Sequence, residues 1–415
     1  MMHKTLTLTL LLAATAACTA GIPNRMPAES GKAMQATSRI PVGMMPQGIA
    51  FGHGHVYVAN SAAGTISVID AATDTKSEDI TVGGMPSYMT ATPDGMTIAN
   101  VDRDAGKVRL LEAVNGKPQV VRTLDVGKMP CHAQWSADGN QLVVTLAEET
   151  ITRLFTFAGG KQAEPAVSAY TVGTVAGTGM GTKAAMDMAG MTPAAGSNPM
   201  AMPSAAGAPV MAMAPMKMRG VSFVGGYVIV PNTGENNVSL IDTRTGNVRT
   251  LLGGNSPEVV GLAMADGKTT AIIGNTASHS VTLQAADGGE PTTISVGQSP
   301  SDIAVRADGK VAFVSASGSN EVSVIDLATR RELTRVPVGK RPGAIQVAPD
   351  AAQIWVANNG SDSLTVLDAQ SFRVLATVAV GAGKHRVAFG PTKAYVTNSE
   401  SNDVSVVDRG TLTTP

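Results

Sequence analysis

A glycine-proline turn recurs along this chain and fixes most of what it can become. It reads VGMMPQGIA from Val42, VGGMPSYMT from Val82, VGKMPCHAQ from Val126, GGNSPEVVG from Gly253, VGQSPSDIA from Val296, VGKRPGAIQ from Val338 and VGAGKHRVA from Val380. The prolines stand at 46, 86, 130, 257, 300 and 342, a spacing of about 42 residues with one long gap. Between turns the order of segments is constant. A short apolar run is followed in several units by an Asp-Gly pair (Asp94-Gly95, Asp138-Gly139, Asp266-Gly267, Asp308-Gly309), then by runs such as VYVAN, IWVANN or AYVTN, then by TISVID, VSVID or VSVVD. Alternating β-branched runs bounded by Asn, Gly and Asp are the signature of antiparallel strands.

Four short strands repeated at this period make the blade of a β-propeller. The predicted fold is all-β, a propeller of about eight four-stranded blades. Seven is the alternative if the weak unit LVVTLAEETITRLFTF is not a blade. The last unit stops after VSVVD, whereas TSRIPVG precedes the first unit as an orphan strand. Pairing these two would close the ring and remove its open edges. An Asp recurs after the third strand at positions 70, 242, 326, 368 and 408, and its regular recurrence marks a turn-forming role, since an Asp carboxylate accepts nearby backbone N–H groups.

The stretch AYVTNSESNDVSVVD resembles the YVTN family of β-propeller repeats, related in fold to the haem-binding propeller of cytochrome d1. The resemblance covers nearly everything from about Ser38 to Asp408, apart from the methionine-rich stretch. It implies the propeller fold and an exported setting, and it leaves the activity open because propellers host many unrelated functions.

The N-terminus reads as a secretory signal over residues 1–17, with an apolar run too short to span a bilayer. It ends Thr15-Ala16-Ala17-Cys18, which resembles a bacterial lipobox with Thr15 where Leu is usual. The preferred reading is a lipid-anchored protein of the periplasm or cell surface, acylated at Cys18, with residues 18–37 as a tether and 38–415 as the propeller. Cleavage after Ala16 to give a soluble secreted protein is the alternative. The other cysteine, Cys131, then stands alone, so no disulfide framework organises the chain. The formal net charge is −1 with no basic block, which argues against a nucleic-acid surface. The expected state is a monomer that meets an envelope protein or small ligand, and meets the membrane only through its anchor.

Pro130 and Pro257 lie 127 residues apart, where two blades need about 84. The surplus is an insertion, residues 176–217, expected as a loop between blades three and four. Ten of the 21 methionines fall between Met180 and Met218. Met186, Met188 and Met191, and then Met211, Met213, Met216 and Met218, have gaps that let several thioethers wrap one soft ion such as copper(I). Met129, Cys131 and His132 would add a tighter site on the ring. The bland alternative is a linker that drifted into methionine.

This insertion leaves the ring on the face where the proline turns gather round the channel mouth. Early blades present Met45, Met85, Tyr88, Met89, Met129, Cys131 and His132 there, and late blades present Ser256, Asp302, Arg341, Lys384, His385 and Arg386. Met45, Met85, Asp302, Arg341 and His385 are the candidate ligand-contacting set. No Cys-x-x-Cys-His for haem, no acidic ring for a hard metal and no nucleophile motif stands out. The balance is against an enzyme, with no cofactor assigned beyond copper(I). The expected function is a non-catalytic exported propeller that binds a partner or ligand at its mouth. A lactonase-like hydrolase or a haem- or quinone-dependent oxidoreductase is the alternative.

Overall fold

The computed structural model describes residues 25–26, 31–173, 183–185, 220–232 and 235–412. Eight sheets follow one another round a ring, their strands antiparallel and in sequence order from the channel outward, except that the N-terminal segment supplies the outer strand of blade 8 and a parallel fifth strand on blade 7. Blade 1 spans Pro46–Gly52 to Thr75–Thr81, blade 2 Pro86–Ala91 to Lys117–Asp125, and blade 3 Pro130–Trp135 to Ala166–Thr171. Blade 4 spans Ser222–Val224 to Val248–Leu252, blade 5 Pro257–Ala265 to Thr292–Ser295, and blade 6 Pro300–Val305 to Arg331–Pro337. Blade 7 runs from Pro342–Val347 to Val374–Ala379, and blade 8 takes its inner three strands from Val387–Phe389, Lys393–Asn398 and Asp403–Asp408. The weak unit is a full blade, with Gln141–Leu146 and Ile151–Thr156 as its middle strands, so the count is eight and not seven.

The ring closes as the sequence predicts. Ser38–Pro41 pairs antiparallel with Asp403–Asp408 as the outer strand of blade 8. Ile40 is buried there between Val56, Val58 and Ile69 of blade 1 and Tyr395, Val404 and Val406 of blade 8. The chain before it does more than lead into the ring. Lys32–Gln35 adds a fifth, parallel strand outside Val374–Ala379 of blade 7, and the Met26 N–H donates to the Arg335 carbonyl of blade 6 at 3.1 Å. The N-terminal segment is thus a strap across the outer edges of blades 6, 7 and 8. An outer strand has unpaired backbone groups on its free side, and the strap satisfies them.

The middle strands are apolar on both faces, because each blade packs against two neighbours. Trp355, for example, is fully buried and meets Phe389 of the next blade edge-on at 5.7 Å. The Asn that ends the second strand is the polar exception. Asn60 donates to Thr65 at 3.0 Å and Ser67 at 2.8 Å, and Asn358 donates to Ser363 at 3.2 Å and Thr365 at 2.9 Å. Each amide ties a hairpin tip to its own third strand. It also explains the glycine of the VG turn: a Cβ at Gly339 would lie 2.6 Å from the Asn358 side chain. Blade 2 replaces this device with Asp102, whose buried carboxylate takes a 2.6 Å hydrogen bond from Arg109.

On the opposite face the recurrent Asp residues hold turns, as their regularity implies. Asp70 accepts the Ala72 and Thr73 N–H groups at 2.8 and 3.0 Å, and Asp368 those of Gln370 and Ser371 at 3.0 and 2.7 Å.

The insertion begins inside a proline turn. Val172-Gly173 occupies the VG position, and the chain returns at Gly220 beside the inner strand of blade 4. Within the stretch expected as a loop, Lys183–Ala185 pairs antiparallel with Ser168–Tyr170 as a fifth strand of blade 3. An uncovered outer strand offers that pairing to any nearby backbone. The methionine clusters at 186–191 and 211–218, Cys18 and the signal segment lie outside the described residues.

Candidate functional site

Proline has no N–H to give to a ladder, and the strand that starts with it begins irregularly. Pro46 faces Asn60 while Gly48 faces Ala59, so Gln47 is bulged out. The same slip follows Pro86, Pro130, Pro257 and Pro300. A bulge turns the next side chain toward a new direction. Two residues past the proline, or at the equivalent place in blades 4 and 8, which lack it, each blade places one residue at the mouth. Aligned through the Asn hairpins, these residues are Gly48, Tyr88, His132, Gly220, Val259, Asp302, Ala344 and Arg386 for blades 1 to 8.

Four of the eight are small or aliphatic and four are functional. Asp302, Tyr88 and Arg386 lean toward the blades that follow them. The Asp302 carboxylate accepts the Ile345 N–H of blade 7 at 3.0 Å, and the Tyr88 and His132 rings lie 4.8 Å apart. Arg386 reaches past blade 1, and its guanidinium sits 4.9 Å from the centre of the Tyr88 ring. Gly48 makes that reach feasible, since a Cβ there would already crowd the Ser87 carbonyl at 2.9 Å. Burial pushes the Tyr88 hydroxyl above its usual pKa, eased by Arg386. Burial also raises Asp302 above the usual carboxylate range, against the pull of two backbone N–H groups and Arg386. Tyr88 and Asp302 belong to blades 2 and 6, opposite one another in the ring, and Arg386 acts electrostatically on both.

The residues named from sequence divide here. Asp302, Tyr88, His132 and Arg386 come together. His385 does not face the mouth: it is 2 % exposed, with Nδ1 hydrogen-bonded to the Thr397 carbonyl at 3.1 Å, and burial lowers its pKa. Blade 8 lacks the proline, so only the count from Val380-Gly381 separates Arg386 from His385 in the sequence. Met45 and Arg341 are exposed on the turns in left-handed backbone, with φ of 54° and 50°. Met85 is half-buried and its N–H donates to Asp102 at 3.0 Å. Met89 belongs to the core. Met129 is half-buried, and the Cys131 thiol donates to the Met129 carbonyl at 3.4 Å. Among the described residues, no group of three or more His, Cys, Asp or Glu is placed to hold a metal ion.

A separate concavity of about 300 Å³ opens on the opposite face between blades 7 and 8. Its charged groups are already committed, Arg409 to Asp350 and the Asp368 carboxylate to the N–H groups of its own turn. The mouth is the stronger candidate because its guanidinium is not.

These features define an eight-bladed β-propeller built of YVTN-type repeats, with one position-specific side chain per blade at the mouth. Residues 237–395 match the family model described as a YNCE-like beta-propeller. No curated protein matches the sequence. Among solved structures the chain is similar to Kuenenia stuttgartiensis hydrazine synthase, at 15% identity and a TM-score of 0.52 over 88% of this chain and 95% of that one. It is also similar to apo AztD from Citrobacter koseri, at 15% identity and a TM-score of 0.50 over 78% and 94%. Saccharomyces cerevisiae Sqt1 aligns at 8% identity with a TM-score of 0.61 over 91% and 99%. At such identities the likeness is one of fold.

Proposed function

We propose that this propeller is a binding protein, not an enzyme, and that it takes a small ligand at its channel mouth. One observation carries the reading. Arg386 is half-buried, stacked on Tyr88, and gives no hydrogen bond or ion pair from its guanidinium among the described residues. Guanidinium N–H groups left without an acceptor in a half-buried place are unspent hydrogen-bonding capacity, and a ligand would supply the acceptor. Loops and side chains from all blades converge at this point, as ligand sites require.

The test is native mass spectrometry of the full chain after incubation with a small-molecule extract. Bound species are expected on the parent and not on Ala344→Trp, which fills the mouth from a half-buried alanine. Met96→Trp, on the exposed opposite face, is the control and should bind as the parent does. Equal binding by the parent and Ala344→Trp would end the reading.

Copper(I) handling by the inserted methionines is a second reading. It is favoured by Gly173 and Gly220, which put both ends of the insertion at the mouth. Replacing Met211, Met213, Met216 and Met218 with Leu keeps their bulk and removes sulfur. A competition titration against a copper(I) chelator should then separate parent from variant, and identical curves would return the stretch to a linker. An exported, lipid-anchored setting would be checked by Cys18→Ser, which should release the protein from membranes.

A further inference from the structure

The geometry points to a small monocarboxylate as the ligand class, held through its carboxylate by the Arg386 guanidinium. This rests on the mouth being the ligand site. The two buried arginines of the ring show what the fold does with such a group when it is structural. Arg109 is paired with Asp102 at 2.6 Å and donates to the Val82 carbonyl at 2.7 Å, and Arg409 is paired with Asp350 and donates to the Gly390 carbonyl at 3.3 Å. Arg386 has a stacking partner and no acceptor among the described residues. Stacking on Tyr88 occupies a face of the guanidinium and leaves its N–H edge free, and that edge is the fork that matches a carboxylate in two parallel hydrogen bonds.

Charge narrows the class further. The mouth offers one cation at this level and also holds Asp302, whose carboxyl already sits in a desolvated place. A monoanion meets the Arg386 fork while adding the least negative charge beside Asp302. A dianion such as a phosphate monoester would bring a second negative charge toward Asp302 with nothing to balance it. The neighbouring channel positions Gly48, Val259 and Ala344 are small or aliphatic, which suits a short apolar body behind the carboxylate. Large planar ligands gain little here, because Tyr88 is already stacked by Arg386 and packed by His132.

The experiment uses two probes of similar size on the full chain, propionate and methylphosphonate at a pH where the latter is a dianion. Binding is followed by saturation-transfer NMR. Propionate should give a saturable signal and methylphosphonate none. Arg386→Gln should weaken propionate at least about tenfold, the range for hydrogen bonds to a charged group. Arg386→Lys, which keeps the charge and loses the fork, should recover only part of that loss. Thermal scans of both variants guard against misfolding, and Arg386→Lys decides the matter if the Gln variant is unfolded. Three results would overturn the proposal: no propionate signal on the parent, equal binding by parent and variants, or methylphosphonate binding as well as propionate. If extract-derived species are bound and lost in Ala344→Trp while propionate fails, the mouth survives as a ligand site and only its preference for monocarboxylates falls. If Ala344→Trp changes nothing, the mouth itself is wrong.

Discussion

The two faces of this ring are built from the same repeats and treat their polar residues in opposite ways. On the face away from the mouth, one residue type recurs at one position with one role. Asp70, Asp242, Asp326, Asp368 and Asp408 each accept a backbone N–H two or three residues on. At the mouth, the position two past the proline holds a different residue in nearly every blade. Repetition serves turns and packing, which every blade needs alike. Divergence at a single register is where a ring of equivalent blades acquires an asymmetric site.

The largest way to break this contrast is to open the ring. Truncation through Ile40 removes the strap and the outer strand of blade 8 and uncovers the cluster around Ile40. Thermal unfolding should lose its single transition or fall by about 10 °C or more, since several kcal/mol are at stake. An unchanged midpoint would show that closure does not depend on this strand.

A repeated residue and a divergent one should then separate cleanly. Asn358→Ala removes a fully buried amide that ties a hairpin, and denaturant unfolding should show a loss of about 1–3 kcal/mol. Arg386→Gln removes no hydrogen bond and should stay within about 0.5 kcal/mol of the parent. Comparable losses in the two variants would mean that the mouth is as structural as the hairpins.

The faces should also differ with pH. Asp94, Asp138 and Asp308 are held below the usual carboxylate range, first by hydrogen bonds from Thr92, Ser136 and Arg306 respectively. Their contribution is present above the unfolded pKa and lost as pH falls through their lowered folded values. Asp302 is shifted the other way by burial, so its contribution is complete below the unfolded value and lost as pH rises toward its folded pKa. Stability curves of the parent and Asp302→Asn should therefore diverge above about pH 4, the variant gaining. Parallel curves across that range would remove the special status of Asp302.

The smallest effect is expected from deleting residues 181–215. Loop length enters stability only logarithmically, about 0.6 kcal/mol per doubling, and the short strand Lys183–Ala185 is added to an already complete blade. A midpoint shift of many degrees would make the insertion part of the ring's core.

Much of the fold was legible because it rests on short-range signals repeated many times. The VG-x-x-P turns, the Asn before most hairpins and the unpaired TSRIPVG strand each have a local cause. The strap was not legible. Lys32–Gln35 pairs in parallel with an outer strand more than 300 residues later, and no turn links the two to announce it. The site was half legible. Tyr88, His132 and Asp302 sit at a fixed offset from a proline, which the sequence displays. Arg386 follows no proline, and only its count from the Val380-Gly381 turn separates it from His385.

The closure strand has a consequence in time. Arg39 and Asp403, ion-paired in the finished ring, are 364 residues apart in the chain. At synthesis rates of about 5–20 residues per second, this early strand waits roughly 20–70 s for its partner to exist. During that interval seven blades can stack on their neighbours, but blade 1 carries an uncovered face and the early strand an unsatisfied edge. Blade 8, made after the other seven, is therefore the one that lets the early strand fold. A premature stop anywhere in blade 8 would leave an open arc with two exposed ends, not a smaller propeller.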